Sequence, residues 1–454
     1  MSIHQLNLRP TDVLFFKDGR PMEGSSAGHG AAWPLPHVLD SALHAALHRS
    51  GLEKKAHKHT VGRSSDRDRD NESKRTRLFG SLQSVGPFPV SPDGEWFFPR
   101  PADADQIGSS KSTHRPLASL PEGAASSLTK GLKPVVSLHP PSKNKAEKWL
   151  SAAAYQAYLK QTESLPAEHY CHDETIFSAE HNIGIGIETS TGAQDGKSFY
   201  SASYLRLQQG WSLGLLTSCL DKGEKEAQDK EGRIDLIEKT FQNSGHANHI
   251  LAGGQQRTCT VYRTTPEVLP LPTGSAITGN LVRWTLLTPA IFPLLTGENN
   301  HPGGWLPTWI EPEMLKIRLK TRPAREKGQS RKAWRDAVNG APAIDGQLIA
   351  ALLPPAIPVT GWSLGKAEGE GGRGFGAKST HLAVPAGAVY YFECESDKEA
   401  RKLADELNWH GAPASQRLAP TIVNRRSSLF GEKGFGLGVC SNFRYHGSSE
   451  HPAC

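Results

Sequence analysis

Residues Leu8 to Pro21 read LRPTDVLFFKDGRP, and this stretch contains the sharpest local signal in the chain. Its apolar, β-prone run Val13 to Phe16 leads directly into an Asp-Gly pair, a combination typical of a tight turn after a strand. Two cations, Lys17 and Arg20, flank this predicted turn. Such a pair at the end of a buried strand can hold a phosphate backbone. The alternative is an ordinary turn whose two cations are solvated.

The composition sets the size and class of the protein. A chain of 454 residues is too long for one typical core, so its length predicts two domains. The 45 glycines and 32 prolines indicate many loops and long insertions. We expect no membrane span, because no run reaches the roughly 18 uninterrupted apolar residues that a helix needs, and no secretory signal opens the chain. Six singly scattered cysteines favour reduced thiols and a cytoplasmic location.

The hydrophobic pattern of the first half predicts a recognisable order of elements. Apart from its loops, this half reads strand, helix, strand, strand, helix, strand, which is the ferredoxin-like βαββαβ order with long insertions. The predicted elements are a strand at Ile3–Leu8, a helix at Pro36–Ser50, paired strands within Ile183–Thr217, a charged helix at Ile234–Gln242 and a strand at Thr258–Thr264.

The second half gives a weaker repeat of the same order. Its predicted elements are a strand at Leu281–Leu287, a helix at Ala333–Val338 or at Leu348–Leu353, a strand at Pro358–Leu364, a β-rich run at Ala388–Glu395 and a helix at Asp397–Leu407. We therefore predict an α+β protein of two ferredoxin-like (RRM-like) domains, residues 1–270 and 271–454. Basic and Pro/Ser-rich insertions belong to the first domain, and a basic insertion with glycine-rich loops belongs to the second.

Two long insertions stand out in the first domain. Residues 53–77 carry nine Lys or Arg against five acids and have no apolar periodicity, which predicts a mobile basic loop. The Ser/Pro/Gly-rich stretch Pro99–Pro141 predicts an extended surface connection, and an amphipathic helix is predicted to follow at Lys145–Gln161.

The strongest concentration of positive charge lies in residues 316–335, with nine Lys or Arg against the single acid Glu326. It opens with LKIRLK, where strand alternation would place Lys316, Arg318 and Lys320 on one face and three apolar side chains on the other. Concentrated charge of this kind is typical of a surface that binds a phosphate backbone. An edge strand kept soluble by its cations is the alternative.

A glycine-rich segment, GEGGRGFGAKST at Gly369–Thr380, nearly matches a phosphate-binding P-loop. Ala377 intrudes before the lysine, and a strand-like run follows where a P-loop requires a helix. An ATPase is therefore disfavoured. A basic glycine loop with Arg373 and Lys378 can still approach a nucleic-acid backbone, since glycine lets amides come close to phosphates.

The histidines and cysteines do not form a convincing metal site. His246 and His249 lack the glutamate of a zincin helix, and Cys171-His172 lacks a second ligand pair. We predict no metal and no cofactor. The best catalytic candidate is His29 between two glycines, because a mobile histidine could act as the general base in RNA cleavage; a packing role in a loop is the alternative.

Several of these segments resemble one known family. The chain resembles the RAMP subunit of type III-B CRISPR effector complexes (the Cmr module) that holds the 5′ end of the guide RNA. The resemblance is carried by the opening LRPTDVLFFKDGRP, by IGIGIETSTGAQDGKSFYSASYLRL at 183–207, by LAGGQQR at 251–257 and by VTGWSLGKAEGE at 359–370 with AVPAGAVYYFE after it. These segments follow the family's order over most of the chain. The closing GFGLG is similar to the glycine-rich loop of RAMP proteins.

This resemblance implies a pair of ferredoxin-like domains that bind the repeat-derived 5′ tag of the guide RNA (crRNA). The implied partners are the large polymerase-like subunit and other RAMP subunits, with target RNA contacted only indirectly. Matching by motif, the implied RNA contacts are Lys17, Arg20, Arg257, Lys366, Arg373 and Lys378. The chain departs from the family at Gln255 and Gln256, where Glu-Gly is common.

Two functions from different classes follow. The first is a non-catalytic RNA-binding subunit that caps the guide RNA by backbone and 2′-OH contacts. The second is a metal-independent endoribonuclease that processes precursor crRNA, with His29 as the base, since RAMP folds host such activity.

Overall fold

The computed structural model describes residues 2–17, 27–28, 33–50, 82–107, 111–120, 125–138, 146–161, 166–221, 234–242, 248–297, 300–322, 328–363, 376–412 and 421–446. The helices are α1 (Pro36–Arg49), α2 (Ala152–Lys160), α3 (Asp173–Ile176), α4 (Leu236–Thr240), α5 (Arg331–Gly340) and α6 (Asp397–Leu407). Short 3₁₀ turns cover Ala167–His169 and Gly431–Lys433. No helix within these ranges is long and apolar enough to cross a bilayer.

Strands dominate the architecture. Those before residue 270 are β1 (His4–Pro10), β2 (Ala27–Gly28), β3 (Gln83–Val90), β4 (Phe97–Pro99), β5 (Ala104–Ile107), β6 (Lys111–His114), β7 (Trp149–Ser151), β8 (Tyr170–Cys171), β9 (Phe177–Ile187), β10 (Gln194–Leu207), β11 (Ser212–Ser218), β12 (Leu220–Asp221), β13 (Ile234–Asp235), β14 (Asn248–Leu251) and β15 (Thr258–Thr264). Those after it are β16 (Leu281–Leu286), β17 (Gly346–Leu352), β18 (Ile357–Val359), β19 (Trp362–Ser363), β20 (Gly376–Ala377), β21 (His381–Ala383), β22 (Val389–Cys394) and β23 (Gly438–Ser441).

The first large sheet has the strand order β14-β15-β1-β11-β3, and every neighbouring pair is antiparallel. Its central strand β1 alternates buried Leu6 and Leu8 with half-buried polar residues, as a strand with one core face should. Helix α1 packs on that core face through leucines four residues apart, Leu39, Leu43 and Leu47, all fully buried.

The second strand of this sheet is not where the sequence predicts it. The runs within Ile183–Leu207 form the hairpin β9–β10, which pairs with β2 in a separate sheet. The edge position beside β11 belongs instead to β3, whose sequence QSVGPFPV contains Pro87 and Pro89. The sequence does not indicate a strand here, because each proline lacks the N–H group that a strand donates to its neighbour. An edge strand tolerates that loss.

The second large sheet has the order β17-β22-β16-β23 and is also antiparallel. Helix α6 covers it with Ala400, Leu403 and Leu407. The helix predicted at Asp397–Leu407 is confirmed. Of the two alternatives for the earlier helix, Ala333–Val338 is confirmed as part of α5, whereas Leu348–Leu353 is wrong because its residues up to Leu352 belong to β17. The described residues therefore form an α+β fold with antiparallel sheets.

The segment between β3 and α3 joins the two sheets. The prediction of a surface connection over Pro99–Pro141 is wrong in part, because Asp103 and Leu117 are fully buried. The predicted helix at Lys145–Gln161 begins only at Ala152, since the preceding residues form β7. Side chains of this segment, Trp96 and Tyr155, enter a core that also contains residues of the second half, Leu287, Trp409, Leu437 and Val439.

An ion pair lies at the centre of this junction. Arg283 of β16 and Asp103 are both fully buried, with Nη1 and Oδ2 separated by 3.0 Å. Tyr391 donates to the same carboxylate at 2.9 Å, Tyr158 donates to its other oxygen, and Arg283 donates to Ser441 Oγ at 2.6 Å. Burial of two charges is costly unless both are hydrogen-bonded, and this network supplies the partners.

Candidate nucleic-acid interface

The opening segment, residues 11–17, leaves the first sheet and packs on the hairpin. Leu14 and Leu205 of β10 exchange two backbone hydrogen bonds of 2.8 Å. Val13 and Leu14 are buried, and the Phe15 ring lies 5.6 Å from the Tyr204 ring. The predicted burial of this run is confirmed for Val13, Leu14 and Phe16, with Phe15 half-buried, but the run pairs through isolated bridges and not as a full strand. Lys17, the last described residue of the segment, is exposed.

The glycine pair of residues 251–257 lies directly on the opening segment. Gly254 N–H donates to the Phe15 carbonyl at 2.9 Å. Gly253 has φ +80°, and a Cβ there would lie 2.4 Å from that carbonyl oxygen and 2.9 Å from the Phe16 ring. Only glycine fits this contact, both in conformation and in space. The two segments that the sequence singles out separately are thus one structural unit.

Arg257, at the end of this loop, is held from two sides. Its guanidinium carbon lies 5.1 Å from the centre of the Tyr204 ring, a cation–π arrangement. Its Nη1 lies 3.7 Å from Asp12 Oδ2, and its side chain is 30% exposed. The Tyr204 hydroxyl in turn donates to Gln255 Oε1 at 2.7 Å, with Gln255 in the left-handed region at φ 55°. Gln255, one of the two residues that depart from the family pattern, therefore takes part in orienting Arg257.

The charges of this unit are nearly balanced. Asp12 also pairs with Arg206 at 3.0 Å, and Arg206 pairs across the hairpin with Glu180. Two carboxylates thus face Arg206 and Arg257, and the exposed Lys17 adds a further positive charge. A guanidinium whose ring face and one edge are fixed can direct its remaining N–H groups at a phosphate. We name Lys17, Asp12, Tyr204, Arg206 and Arg257 the opening cluster.

Lys378 lies elsewhere, beside the start of α1. Its backbone N–H donates to the Gly361 carbonyl at 2.8 Å. Burial, the charge of Lys433 and, more weakly, that of Lys378 lower the pKa of His37 to about 4, so this histidine is neutral at physiological pH. Lys433 lies 5.0 Å above the Phe430 ring. A second group of cations therefore stands where α1 meets the glycine-rich segment Gly434–Gly438.

The basic stretch LKIRLK packs against the edge strand β17 of the second sheet. Its alternation is confirmed over the first four residues, where Leu315 and Ile317 are buried and Lys316 and Arg318 are exposed, but not at Leu319 and Lys320, which are both half-buried. Lys316 and Lys320 form single bridges to Gln347 and Ala343, so the stretch covers the sheet edge without forming a full strand. These three cations belong to the second sheet, whereas the opening cluster belongs to the first sheet and its hairpin.

The other candidates can be placed only in part. Arg20, Lys366, Arg373, His29, His246 and the basic run 53–77 lie outside the described residues. Cys171 is buried, which raises the pKa of its thiol to about 11, and the His172 side chain is 40% exposed. Within the described part of the chain, no group of three or more His, Cys, Asp or Glu side chains is arranged to hold a metal ion.

Sequence reasoning missed the residues that orient Arg257. In the sequence, Tyr204 is one apolar position in a strand and Asp12 is a turn residue. Neither pattern indicates that the residue contacts an arginine. It also missed Asp40, a buried carboxyl in the middle of α1 that accepts from Ser84 Oγ at 2.9 Å. Burial raises the pKa of Asp40 to about 6. An acid among leucines at helical spacing was the signal available for Asp40.

Comparison with known proteins identifies the family. No curated protein sequence matches the chain. Among solved structures, a chain of a Type III-B Cmr-beta complex bound to cognate target RNA and AMPPnP shares 13% identity, with 87% of this chain and 86% of that one covered and a TM-score of 0.39. A chain of a Csm3–Csm4 subcomplex from a type III-A interference complex shares 9% identity over 87% and 93%, with a TM-score of 0.34. The family model for the CRISPR-associated protein Cas_Cmr3 matches residues 6–439. The chain therefore belongs to the Cas_Cmr3 family of CRISPR-associated proteins.

Proposed function

We propose that this Cmr3-family chain is a non-catalytic subunit that binds the guide RNA of a type III-B effector. In this role it caps the 5′ tag and docks the large polymerase-like subunit, beside other RAMP subunits. The contact between Phe15 and Gly253–Gly254 carries the proposal. It brings together two segments whose RNA contacts the family resemblance implies, the opening segment that ends at Lys17 and the loop that ends at Arg257.

We also propose that the two halves, residues 1–270 and 271–454, are each a ferredoxin-like domain. The strand orders support this assignment. In the second sheet, β16 lies between β22 and β23, and β17 lies beyond β22. In the first sheet, β1 lies between β11 and β15, β3 lies beyond β11, and β14 adds an outer strand. Numbered by position, both sheets have the order 4-1-3-2 of a βαββαβ unit.

A cytoplasmic location is part of the proposal. Cys171, Cys219, Cys259, Cys394 and Cys440 are buried free thiols, which suits a reducing compartment. Target RNA would meet this subunit only through the guide, since the cations assigned here are matched to contacts with the guide backbone. Phosphate contacts of this kind position an RNA without reading its sequence.

The first experiment measures guide RNA binding by the full chain with Arg257→Ala. We expect weaker binding and a salt slope reduced by about 1, because a lost phosphate contact releases fewer counterions. The control is Arg401→Ala, which removes an exposed arginine from a helical i,i+4 pair on α6. Equal binding by the Arg257→Ala and Arg401→Ala variants would contradict the assignment of Arg257.

The second experiment tests the tag and the partners. The chain is purified with its complex, and the bound small RNAs are sequenced. We expect one common 5′ sequence and co-purification of the large subunit. A second assay incubates the purified chain with labelled repeat RNA. Cleavage of this RNA that His29→Ala abolishes would contradict the proposed function and support an endoribonuclease.

A further inference from the structure

The first sheet has one face that is covered over only part of its width. The inward side chains of β1, β14 and β15, such as Leu8, Ile250 and Val261, are buried beneath the helices. On the opposite face, the part above β11 and β3 is closed: a Cβ at Gly214 would lie 2.8 Å from the Trp96 ring. The cover thins at β1, where Gln5 and Asn7 are half-buried and Arg9 is exposed.

The remaining part of this face, which we name the open face, is largely polar: four of its side chains are exposed, and Gln5, Asn7 and Thr260 are half-buried. Strand register places its side chains together, because Arg9 pairs with Thr260, Asn7 with Tyr262, Gln5 with Thr264, and His249 with Thr260. Directly opposed residues of an antiparallel pair share a face. The open face therefore consists of Gln5, Asn7, Arg9, His249, Thr260, Tyr262 and Thr264, and it is bounded on the side of Arg257 by Thr258 and the half-buried Leu251.

An aromatic–cation pair stands at the centre of the open face. The Tyr262 side chain is 51% exposed, and the Arg9 guanidinium carbon lies 4.9 Å from the centre of its ring. A tyrosine half in solvent on a sheet surface is a stacking platform for a planar ligand, and arginine adds a cation that can bind a phosphate. Stacking of unpaired bases on sheet aromatics is how some sheet-based modules bind single-stranded RNA.

The chemistry around this pair favours a polyanion with hydrogen-bonding edges. Asn7 and Gln5 present amides, with Gln5 Nε2 donating to Asn7 Oδ1 at 3.4 Å, and the threonines present hydroxyls. Arg9 and His249 are the ionisable side chains of the open face besides Tyr262, and none of its seven residues is a carboxylic acid. A duplex offers no free base plane to such a flat surface, so a single strand is the better fit.

The open face and the opening cluster adjoin at the start of β15. Strand β15 begins at Thr258, directly after Arg257, and Thr11 N–H donates to the Thr258 carbonyl at 3.0 Å. From Arg257 to Tyr262 the strand runs five residues, roughly 16 Å. Arg257 opposes the buried Ala252 and so lies on the helix-covered side of the sheet, which means that a backbone bound at Arg257 would reach the open face around the start of β15.

We propose that the open face is a second contact surface for single-stranded RNA, on which an unpaired base stacks on the Arg9–Tyr262 pair while Arg9 contacts a phosphate. The inference rests on the proposed function, because it extends the path of an RNA held at Arg257. It assigns a binding role to β1 and β15, which none of the sequence motifs indicates.

The test compares Tyr262→Ala with Tyr262→Phe in the full chain, with binding of a labelled single-stranded oligouridylate measured by fluorescence anisotropy. Loss of one stacked base corresponds to about 5- to 100-fold weaker binding, so Tyr262→Ala should lose affinity and Tyr262→Phe should retain most of it. Arg9→Ala should also weaken binding and reduce the salt slope, whereas Arg401→Ala should not. Photocrosslinking of 4-thiouridine RNA should label the peptide that contains Tyr262.

The outcomes separate this inference from the proposed function. If Arg257→Ala weakens binding while Tyr262→Ala and Arg9→Ala bind like the unmodified chain, the open face is not an RNA surface and the inference is overturned alone. If the unmodified chain does not bind single-stranded RNA, both fail. If Tyr262→Ala keeps RNA affinity but loses a protein subunit from the purified complex, the face binds protein, which also overturns the inference.

Discussion

Arg283 and Arg257 each face an aspartate and a tyrosine ring, yet their surroundings differ. Arg283 is fully buried, 3.0 Å from Asp103, and its other N–H groups are directed at Ser441 and Tyr158. Arg257 is 30% exposed and 3.7 Å from Asp12, which itself is 55% exposed. The first arginine is saturated by the fold, whereas the second keeps capacity for a ligand. Burial and hydrogen bonding, not residue type, separate a structural cation from one that a ligand can still reach.

The largest expected effect comes from breaking the saturated pair. Arg283→Ala leaves the Asp103 carboxylate buried without its counter-charge, which typically costs about 3–5 kcal/mol. Urea denaturation of the full chain should show a large loss of stability, and Arg257→Ala, the exposed counterpart, should change the midpoint little. Similar losses of stability for Arg283→Ala and Arg257→Ala would contradict the conclusion that only Arg283 is a structural cation.

The next effect concerns two groups of α1, the buried Asp40 and the half-buried His37, whose pKa values are shifted in opposite directions. Burial raises the pKa of Asp40 from 3.8 to about 6, and the charge of Glu432 raises it slightly more. The charge of Lys433 and the hydrogen bond from Ser84 act in the opposite direction. Between about pH 4 and 6 the folded state therefore holds a proton that the unfolded state has lost, and stability falls as pH rises. The pKa of His37, lowered from 6.5 to about 4, has the reverse effect over about pH 4 to 6.5.

We expect these two contributions to oppose each other in the unmodified protein. Asp40→Asn should remove the first, so that stability relative to the unmodified chain rises with pH by up to about 1.4 kcal/mol per pH unit between pH 4 and 6. His37→Asn should give the opposite slope. Denaturant midpoints measured in steps of pH provide the comparison, and parallel curves for Asp40→Asn and the unmodified chain would contradict it.

A smaller effect should follow from a side chain at Gly253, where the loop lies against the Phe15 carbonyl. Gly253→Ala places a Cβ 2.4 Å from the Phe15 carbonyl at φ +80°, so it combines a steric clash with an unfavourable backbone conformation. Gly279→Ala is the matched control, because Gly279 has φ +73° and nothing within 4 Å of its Cβ position. The conformation alone costs about 1–2 kcal/mol in both variants. Gly253→Ala should lose more stability and RNA affinity than this control; equal losses would mean that the close contact is unimportant.

The sequence predicts the parts of this fold that depend on local pattern. Helices α1 and α6 and strand β15 follow directly from apolar spacing and turn residues. Strand β3 could not be found that way, because Pro87 and Pro89 are acceptable only at a sheet edge, and edge position is a property of the assembled sheet.

The candidate site divides in the same way. Lys17 is predicted from the turn motif that follows Val13–Phe16, and Arg257 from the resemblance of LAGGQQR to the family. Tyr204 and Asp12 are not, because their role arises only when the hairpin folds back on residues 11–17. Arg283 shows the converse: in sequence it is one charge in an apolar run, and its partner Asp103 lies 180 residues away.

The smallest effect tests whether Asp12 restrains the exposed arginines, and it assumes the RNA binding proposed above. Asp12→Asn removes a carboxylate that faces both Arg206 and Arg257. Because exposed ion pairs contribute little to stability, the melting temperature should change little. A phosphate then no longer competes with Asp12, so RNA binding should become a few-fold tighter, with a steeper salt dependence. Weaker binding by Asp12→Asn would instead make Asp12 a positioning residue for Arg257, and the opening cluster would then resemble the saturated Arg283 network more closely than its exposure indicates.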